Sequence, residues 1–307
     1  MTEPQSSTGI NISFSGLQII EAVKVSHLYS IENLDQTFIS PPLNFDDGNE
    51  TLLETQIQNA FEEIKSRNQV NITVASFTLP PELFITIQLP YDNNLHHEEL
   101  IEEFRWELSL LYPFISSDEL AIKYYRLENK SLSEHKFVLV VALNKKYLLF
   151  CKKFCKMNNL TPKFVDNASV SANHFINNFF SIDNGFSTIN IYNSRNSMTL
   201  FINNSSKPVY VKVFPKSGSD FIKTIAEELS IKSLEWIKTE PYLEAFITGD
   251  YTGDELIDEL NSSTSINFKK LNPLELLNVK PGIIVSGLSN QQNYTFTSAA
   301  GIASRFK

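Results

Sequence analysis

The sequence predicts an α/β fold of two lobes, with a compact subdomain inserted into the first lobe. Short apolar runs of strand type alternate with helical patterns in two successive halves of the chain. The length of 307 residues is enough for two hydrophobic cores. We therefore predict a first lobe at residues 1–180, which contains the insert at about 80–143, and a second lobe at residues 181–307.

Composition and charge exclude several classes of protein. The net charge is −9, from 26 basic and 35 acidic residues, and a nucleic-acid partner would require a basic face. The first nine residues have no basic start and no apolar core, so they do not predict a signal peptide. The longest clean apolar run, residues 137–143, is too short to span a bilayer. We expect a cytoplasmic protein that is peripheral to a membrane at most.

The first lobe begins with a predicted strand hairpin. Residues 10–25 contain two short apolar-rich runs, a pattern typical of two paired strands. Two prolines, two aspartates and a glycine predict a loop over residues 34–50. Residues 51–66 then carry apolar side chains at helical spacing.

The insert has the order strand, helix, strand, strand. A strand at residues 71–77 precedes it, and the predicted insert elements are a strand at 83–90, a helix at 97–112, and strands at 120–127 and 136–143. The apolar stripe of the helix that should face the insert sheet consists of Leu100, Phe104, Leu108 and Leu111. Trp106 and Leu110 lie four residues apart on another face. That second face either packs on the first lobe or contacts a partner, since tryptophan is frequent at binding hot spots.

Both cysteines lie on the helix predicted after the insert. Cys151 and Cys155 are four residues apart, a spacing that would suit a redox pair or half of a metal site. The alternative, two small apolar residues on a core face, is the reading we prefer. A strand at residues 163–166 and a helix at 169–180 complete the first lobe.

The second lobe repeats the plan of the first. Its predicted strands are residues 187–191, 198–202, 209–213 and 242–248, and its predicted helices are 219–229 and 254–260. Two sheets that each begin with a hairpin and continue through crossing helices would form the two lobes.

Residues 71–114 resemble the PilM family of type IV pilus assembly proteins. The shared features are two strands, the second ending in Leu-Pro, then a Glu-rich helix with a tryptophan midway and a Pro-Phe stop. Asp166 at a strand end, the Asn272-Pro273 pair and the small-residue tail resemble further family features. The resemblance implies an actin-like (ribonuclease H-like) fold, related to that of FtsA, over nearly the whole chain.

The resemblance also identifies three loops that would bind a nucleotide between the lobes. Where the family has Gly-Ile-Asp-Ile-Gly, this chain has Gly-Ile-Asn-Ile-Ser at residues 9–13. Where the family has Asp-Ile-Gly and Thr-Gly-Gly, this chain has Asp-Asn-Gly at 183–185 and Thr-Gly-Asp at 248–250. The partly degenerate positions are Asn11, Ser13, Asp183, Gly185, Gly249 and Asp250.

These departures predict a site that does not hydrolyse a nucleotide. An amide at position 11 weakens the hold on Mg²⁺, and Asp250 and Ser13 make the loops less favourable for phosphates. Asp183 and Gly185 would instead preserve a weak site, unless they only form a turn before a strand. We expect a pseudo-ATPase without a cofactor, with ATP and Mg²⁺ relevant only under the alternative.

Other candidate sites are weaker. Adjacent histidines His96 and His97 point about 100° apart on a helix, so they converge poorly on one metal ion. The acids between residues 254 and 259 are typical of a solvated helix face. We therefore expect no metal site.

The resemblance implies a non-catalytic scaffold or adaptor. Such proteins bind a cytoplasmic peptide of a single-span membrane protein, in a groove that involves the insert, at the inner face of the membrane. One alternative is a nucleotide-binding actin-like ATPase that switches shape or polymerises. Another is a protein of the same fold with an unrelated partner.

Overall fold

The computed structural model describes residues 5–25, 28–45, 48–67, 72–128, 136–180, 186–216, 221–240, 242–280 and 290–305. The strands are β1 Gln5–Ile12, β2 Gly16–Val25, β3 Leu28–Phe38, β4 Val74–Leu79, β5 Phe84–Tyr91, β6 Leu120–Arg126, β7 Lys136–Asn144, β8 Thr161–Asn167, β9 Ser187–Asn193, β10 Ser197–Asn204, β11 Lys207–Pro215, β12 Leu243–Thr248, β13 Phe268–Lys270 and β14 Asn278–Val279. The α-helices are α1 Glu50–Arg67, α2 His97–Leu111, α3 Lys145–Met157, α4 Ala168–Phe180, α5 Phe221–Glu228, α6 Asp254–Thr264, α7 Pro273–Leu276 and α8 Thr297–Ala303.

Two large sheets form the two lobes. The first has the order β14-β3-β2-β1-β4-β8 and the second the order β11-β10-β9-β12-β13. Each begins with antiparallel strands, β1 to β3 and β9 to β11, and continues with two parallel strands, β4 and β8 or β12 and β13. This repeated plan confirms the predicted two-lobed α/β fold.

The insert is a third sheet with the order β5-β7-β6, covered on one face by α2. Leu100, Phe104 and Leu108 of α2 are each 1% exposed and pack on this sheet, as predicted. The other face packs against the body, where Leu139 and Phe201 belong to one apolar cluster that includes residues of α4 and β11. The sheet of the insert therefore lies between α2 on one side and α4 and the second lobe on the other.

Strand β3 corrects the prediction of a loop from residue 34. It runs to Phe38, and its polar residues Asp35 and Gln36 are buried. Arg67 at the end of α1 pairs with this part of the strand, because its Nε donates to Asp35 Oδ2 at 3.2 Å and its Nη2 donates to the Gln36 backbone carbonyl at 2.7 Å. A strand whose inward side chains are polar has no hydrophobic alternation, so the sequence pattern does not reveal it.

The end of the chain returns to the first lobe, which differs from the predicted second lobe at 181–307. Strand β14 pairs in parallel with β3, and α8 packs between the first sheet and α4. The crossing of α8 and α4 is very close, since a Cβ added to Gly301 would lie 2.0 Å from the Ser171 carbonyl oxygen. The position of α8 in the first lobe is determined by the close packing of its small residues, and the local sequence pattern does not predict it.

A buried ion pair joins this tail to the insert. Arg305, just after α8, pairs with Asp166 at the end of β8, and the Tyr125 hydroxyl of β6 donates to Asp166 Oδ2 at 3.3 Å. Asp166 is 3% exposed, so its charge requires such partners. The predicted family position at Asp166 therefore carries a structural contact.

The cysteines are part of the first core, as preferred from the sequence. Cys151 and Cys155 on α3 are both fully buried, and burial raises the pKa of the Cys155 thiol to about 11, which favours the unreactive thiol. Within the described ranges, no helix is long and apolar enough to cross a membrane.

Candidate functional site

Asn11, where the family loop has an acid, is the centre of a buried hydrogen-bond chain. Its Nδ2 donates to Gln18 Oε1 at 2.9 Å, and its Oδ1 accepts from Thr78 Oγ1 at 2.8 Å. Gln18 Nε2 donates onward to Thr295 Oγ1 at 2.8 Å. The amide thus connects β1 to β4, β2 and the segment before α8. An aspartate could not donate to Gln18, so the asparagine suits this structural role.

Ser13 and Asp250 meet across the space between the lobes. Ser13 lies in the turn between β1 and β2, and its hydroxyl forms a hydrogen bond with the Asp250 carboxyl, which lies after β12. Burial raises the pKa of Asp250 from 3.8 to about 6, the negative charge of Glu82 adds to the rise, and the Ser13 hydrogen bond opposes it. A phosphate placed here would meet a poorly compensated acid.

Gly249 allows two parts of the second lobe to approach closely. Its φ is +103°, and a Cβ at this position would lie 2.3 Å from the Asn193 carbonyl oxygen at the end of β9. The Asn193 side chain also donates to the Tyr251 carbonyl at 2.6 Å. Both the positive φ and the missing Cβ are used for contacts within the protein.

Glu82 joins the lobes, and the sequence analysis missed it. It lies in the single 3₁₀ turn after β4, and its carboxylate accepts hydrogen bonds from the turn between β9 and β10. The donors are Ser194 Oγ at 2.8 Å, the Asn196 N–H at 2.9 Å and Ser197 Oγ at 3.3 Å. Residues more than 110 positions apart therefore meet, and no local motif signals this contact.

A small cavity lies between the lobes beside Ser13 and Asp250. The cavity lined by Ser13, Gln18, Asp250 and Tyr294 has a volume of about 80 Å³, whereas small-molecule pockets usually measure roughly 300–1,000 Å³. Asp183 and Gly185 of the predicted second loop lie outside the described residues. Among the residues that are described, no group of three or more His, Cys, Asp or Glu side chains could hold a metal ion.

A larger groove lies between the insert and the second lobe. Its volume is about 560 Å³, and its two walls are β5 and β11, each at the edge of its sheet. The Val211 N–H of β11 points across the groove and donates to Gln88 Oε1 of β5 at 3.4 Å. The apolar and aromatic side chains that line the groove are Phe84, Ile85, Ile87, Tyr112, Leu139, Tyr210, Val211 and Val213.

Trp106 and Leu110 are exposed on the outer face of α2, at 60% and 58%. The alternative that they pack on the first lobe is therefore wrong. Leu111, predicted to belong to the buried stripe, is 49% exposed because the helix ends there. The structure places Trp106 and Leu110 together on one exposed surface of the insert.

The histidine and acidic candidates have structural partners. His96 begins α2 in a capping box with Glu99, whose carboxylate accepts from the His96 N–H at 2.8 Å. His97 lies 3.1 Å from the Tyr124 hydroxyl through its Nδ1. Asp254 is largely exposed and pairs with Lys270 at 2.7 Å. These contacts suit a helix start and a solvated helix face.

Comparisons with known proteins agree with this fold. The PilM-PilN type IV pilus biogenesis complex has a TM-score of 0.71 at 18% identity, with 97% of each chain covered. A Bacteroides thetaiotaomicron protein with an actin-like ATPase fold has a TM-score of 0.51 at 14% identity, covering 89% of this chain and 93% of that one. The cytoplasmic domain of EpsL, an inner membrane component of the Vibrio cholerae type II secretion system, has 0.50 at 9% identity, covering 99% and 96%.

No curated protein matches the sequence. The model of the family described as type IV pilus assembly protein PilM matches residues 9–239, about three quarters of the chain. With the actin-like arrangement of its two lobes, this match shows that the chain belongs to the PilM family of type IV pilus assembly proteins.

Proposed function

We propose that this protein is a non-catalytic adaptor in pilus assembly, which binds an extended peptide of a membrane partner. The observation that carries the proposal is a contrast between two spaces. The cavity beside Ser13 and Asp250, between the lobes, measures about 80 Å³, and hydrogen bonds to Glu82 join the two lobes. The groove between β5 and β11 measures about 560 Å³, within the usual range for a binding site.

The residues around the cleft support a pseudo-ATPase. Phosphoryl transfer depends on Mg²⁺ and on donors that stabilise the phosphate charge. Here the Asn11 amide is used in contacts with Gln18 and Thr78. The Asp250 carboxylate faces the space where a phosphate would lie, and Gly249 packs against Asn193. We therefore propose that neither ATP nor Mg²⁺ is a working cofactor.

The groove favours an extended peptide as its occupant. The Val211 N–H points into the groove, and strand geometry directs the N–H of Val213 to the same side. Such main-chain donors allow a peptide to add as a strand, while apolar side chains on the walls select apolar residues. The part of β11 that lines the groove, residues 210–213, is four residues long, or about 13 Å of extended strand.

The name of the structural relative suggests the source of the peptide. In the PilM-PilN complex, PilM is assembled with PilN. We propose that the partner here is likewise a membrane protein with a single span, and that its cytoplasmic segment occupies the groove. The chain would then be located in the cytoplasm at the inner face of the membrane, held there through the partner.

Two calorimetric titrations test the proposal. Mg²⁺-ATP should give no binding heat, whereas a synthetic peptide of the cytoplasmic segment of the PilN-type protein from the same organism should bind. Val213→Pro removes a groove-side N–H on an edge strand, where proline is tolerated. It should weaken peptide binding at least about tenfold, which corresponds to one lost main-chain hydrogen bond and some steric conflict.

Val213→Thr is the matched control, since it keeps the N–H and a β-branched side chain. It should bind the peptide within about twofold of the unmodified protein, because the peptide uses the backbone. Tight Mg²⁺-dependent ATP binding would instead support the nucleotide-dependent switch. Peptide binding that is equal in Val213→Pro and Val213→Thr would exclude this groove.

A further inference from the structure

Four large apolar side chains are exposed on α2 and just after it. Trp106 and Leu110 are one turn apart on the outer face of the helix, Leu111 is the last residue of the helix, and Phe114 follows it. Phe114 is 99% exposed and Leu111 is 49% exposed. Four large apolar side chains in one short stretch form the kind of patch that marks an interaction site. We call these four residues the α2 patch.

The α2 patch lies in a strongly acidic part of the chain. Residues 98–119 contain seven acids and one arginine, which gives a net charge of −6 against −9 for the whole chain. Glu102, one turn before Trp106, is 72% exposed. The arginine, Arg105, is occupied by Glu102 and by the Ser117 carbonyl. The surface is therefore apolar and negative at once.

We propose that the α2 patch docks a basic amphipathic helix of a second protein partner. A convex helix face with apolar residues at i and i+4 fits the grooves of another helix, and a partly exposed tryptophan is typical of binding hot spots. Lysine and arginine side chains of the partner would lie opposite Glu102 and Glu107, and its apolar residues opposite Leu110 and Phe114. The negative charge disfavours an anionic membrane or a nucleic acid as occupant.

This inference goes beyond the proposed function and does not depend on it. The α2 patch is on the solvent side of α2, whereas the groove is at the β5 edge of the insert sheet and faces the second lobe. They approach each other only at the end of α2, where Tyr112 lines the groove. A protein with both could hold two partners at the same time, which is what an adaptor does.

Tryptophan fluorescence tests the α2 patch directly. The chain has two tryptophans, so Trp236→Phe leaves Trp106 as the reporter. The probe is a synthetic peptide of about 18 residues with leucine on one helical face and lysine on the other. We expect a saturable blue shift of the Trp106 emission. A peptide of the same composition in scrambled order should bind about tenfold more weakly, because its apolar residues are not on one face.

Charge reversal supplies the matched control. Glu102→Lys with Glu107→Lys should weaken binding of the amphipathic peptide about tenfold. Glu255→Lys with Glu259→Lys makes the same change on the exposed face of α6 and should leave binding unchanged. Equal binding of the amphipathic and scrambled peptides, or equal effects of the two charge reversals, would overturn the proposal. A blue shift with anionic phosphatidylserine vesicles and none with the peptide would also overturn it, in favour of a membrane surface.

Discussion

Replacing Glu82 by alanine tests whether side-chain contacts hold the cleft between the lobes closed. The change removes the acceptor of three hydrogen bonds and leaves Ser194 Oγ and the Asn196 N–H without it. A hydrogen bond to a charged group contributes about 1.5–3 kcal/mol. Because Glu82 is partly exposed and one of its bonds is 3.3 Å long, we expect a total loss of about 3 kcal/mol in the free energy of unfolding.

Thermal unfolding followed by circular dichroism measures this loss, which should lower Tm by about 5 °C in a chain of 307 residues. Amide exchange at Asn196 should become faster. Glu82→Gln keeps one acceptor oxygen and should lose less, about 1–2 kcal/mol. Glu259→Ala, an exposed acid on α6, is the control for loss of a surface charge. A Tm for Glu82→Ala equal to that of Glu259→Ala, with unchanged exchange at Asn196, would refute the reasoning.

Two further predictions concern the nucleotide-loop positions. The raised pKa of Asp250 means that the folded protein holds this proton more tightly than the unfolded chain, so stability should fall as pH rises from about 4 to about 6. Asp250→Asn should remove that fall and raise the free energy of unfolding at pH 7. We expect a rise of about 1–2 kcal/mol, because solvent screens the charge of this partly exposed carboxyl. Urea unfolding at several pH values measures the effect. Asn11→Asp should lower the free energy of unfolding by about 3 kcal/mol, because the substitution buries a charge and removes the donor to Gln18. The variant should still give no heat of binding when Mg²⁺-ATP is titrated into it. Restored Mg²⁺-ATP binding would contradict this.

Much of the fold could be predicted because its elements have local signatures. The hairpins at the start of each sheet, the order of the insert and the buried stripe of α2 all follow from apolar periodicity. Strand β3 could not be predicted, since its inward residues are polar and depend on Arg67. The return of α8 to the first lobe also escapes local pattern, because it depends on close packing of Gly301 against Ser171.

The candidate site was also predictable only in part from the sequence. The resemblance placed Ser13 and Asp250 in separate loops, and the structure brings them into contact across the cleft. What the sequence could not show is how the remaining space is used. Glu82 meets its partners only after both lobes have formed, and the partners of Asn11 come from two other strands, β2 and β4. Long-range pairing of polar side chains has no periodic signal.

The closed cleft and the open groove are parts of one arrangement. The walls of the groove belong to the insert and to the second lobe, so a peptide between them would hold the same two bodies that Glu82 holds. A peptide at 100 times its Kd stabilises the folded state by about 2.7 kcal/mol. It should therefore offset most of the loss caused by Glu82→Ala. When Val213→Pro is added, the same peptide concentration should stabilise by only about 1.4 kcal/mol, because the missing groove-side N–H weakens binding about tenfold. Stabilisation that is undiminished in the double variant would mean that the peptide binds to another surface.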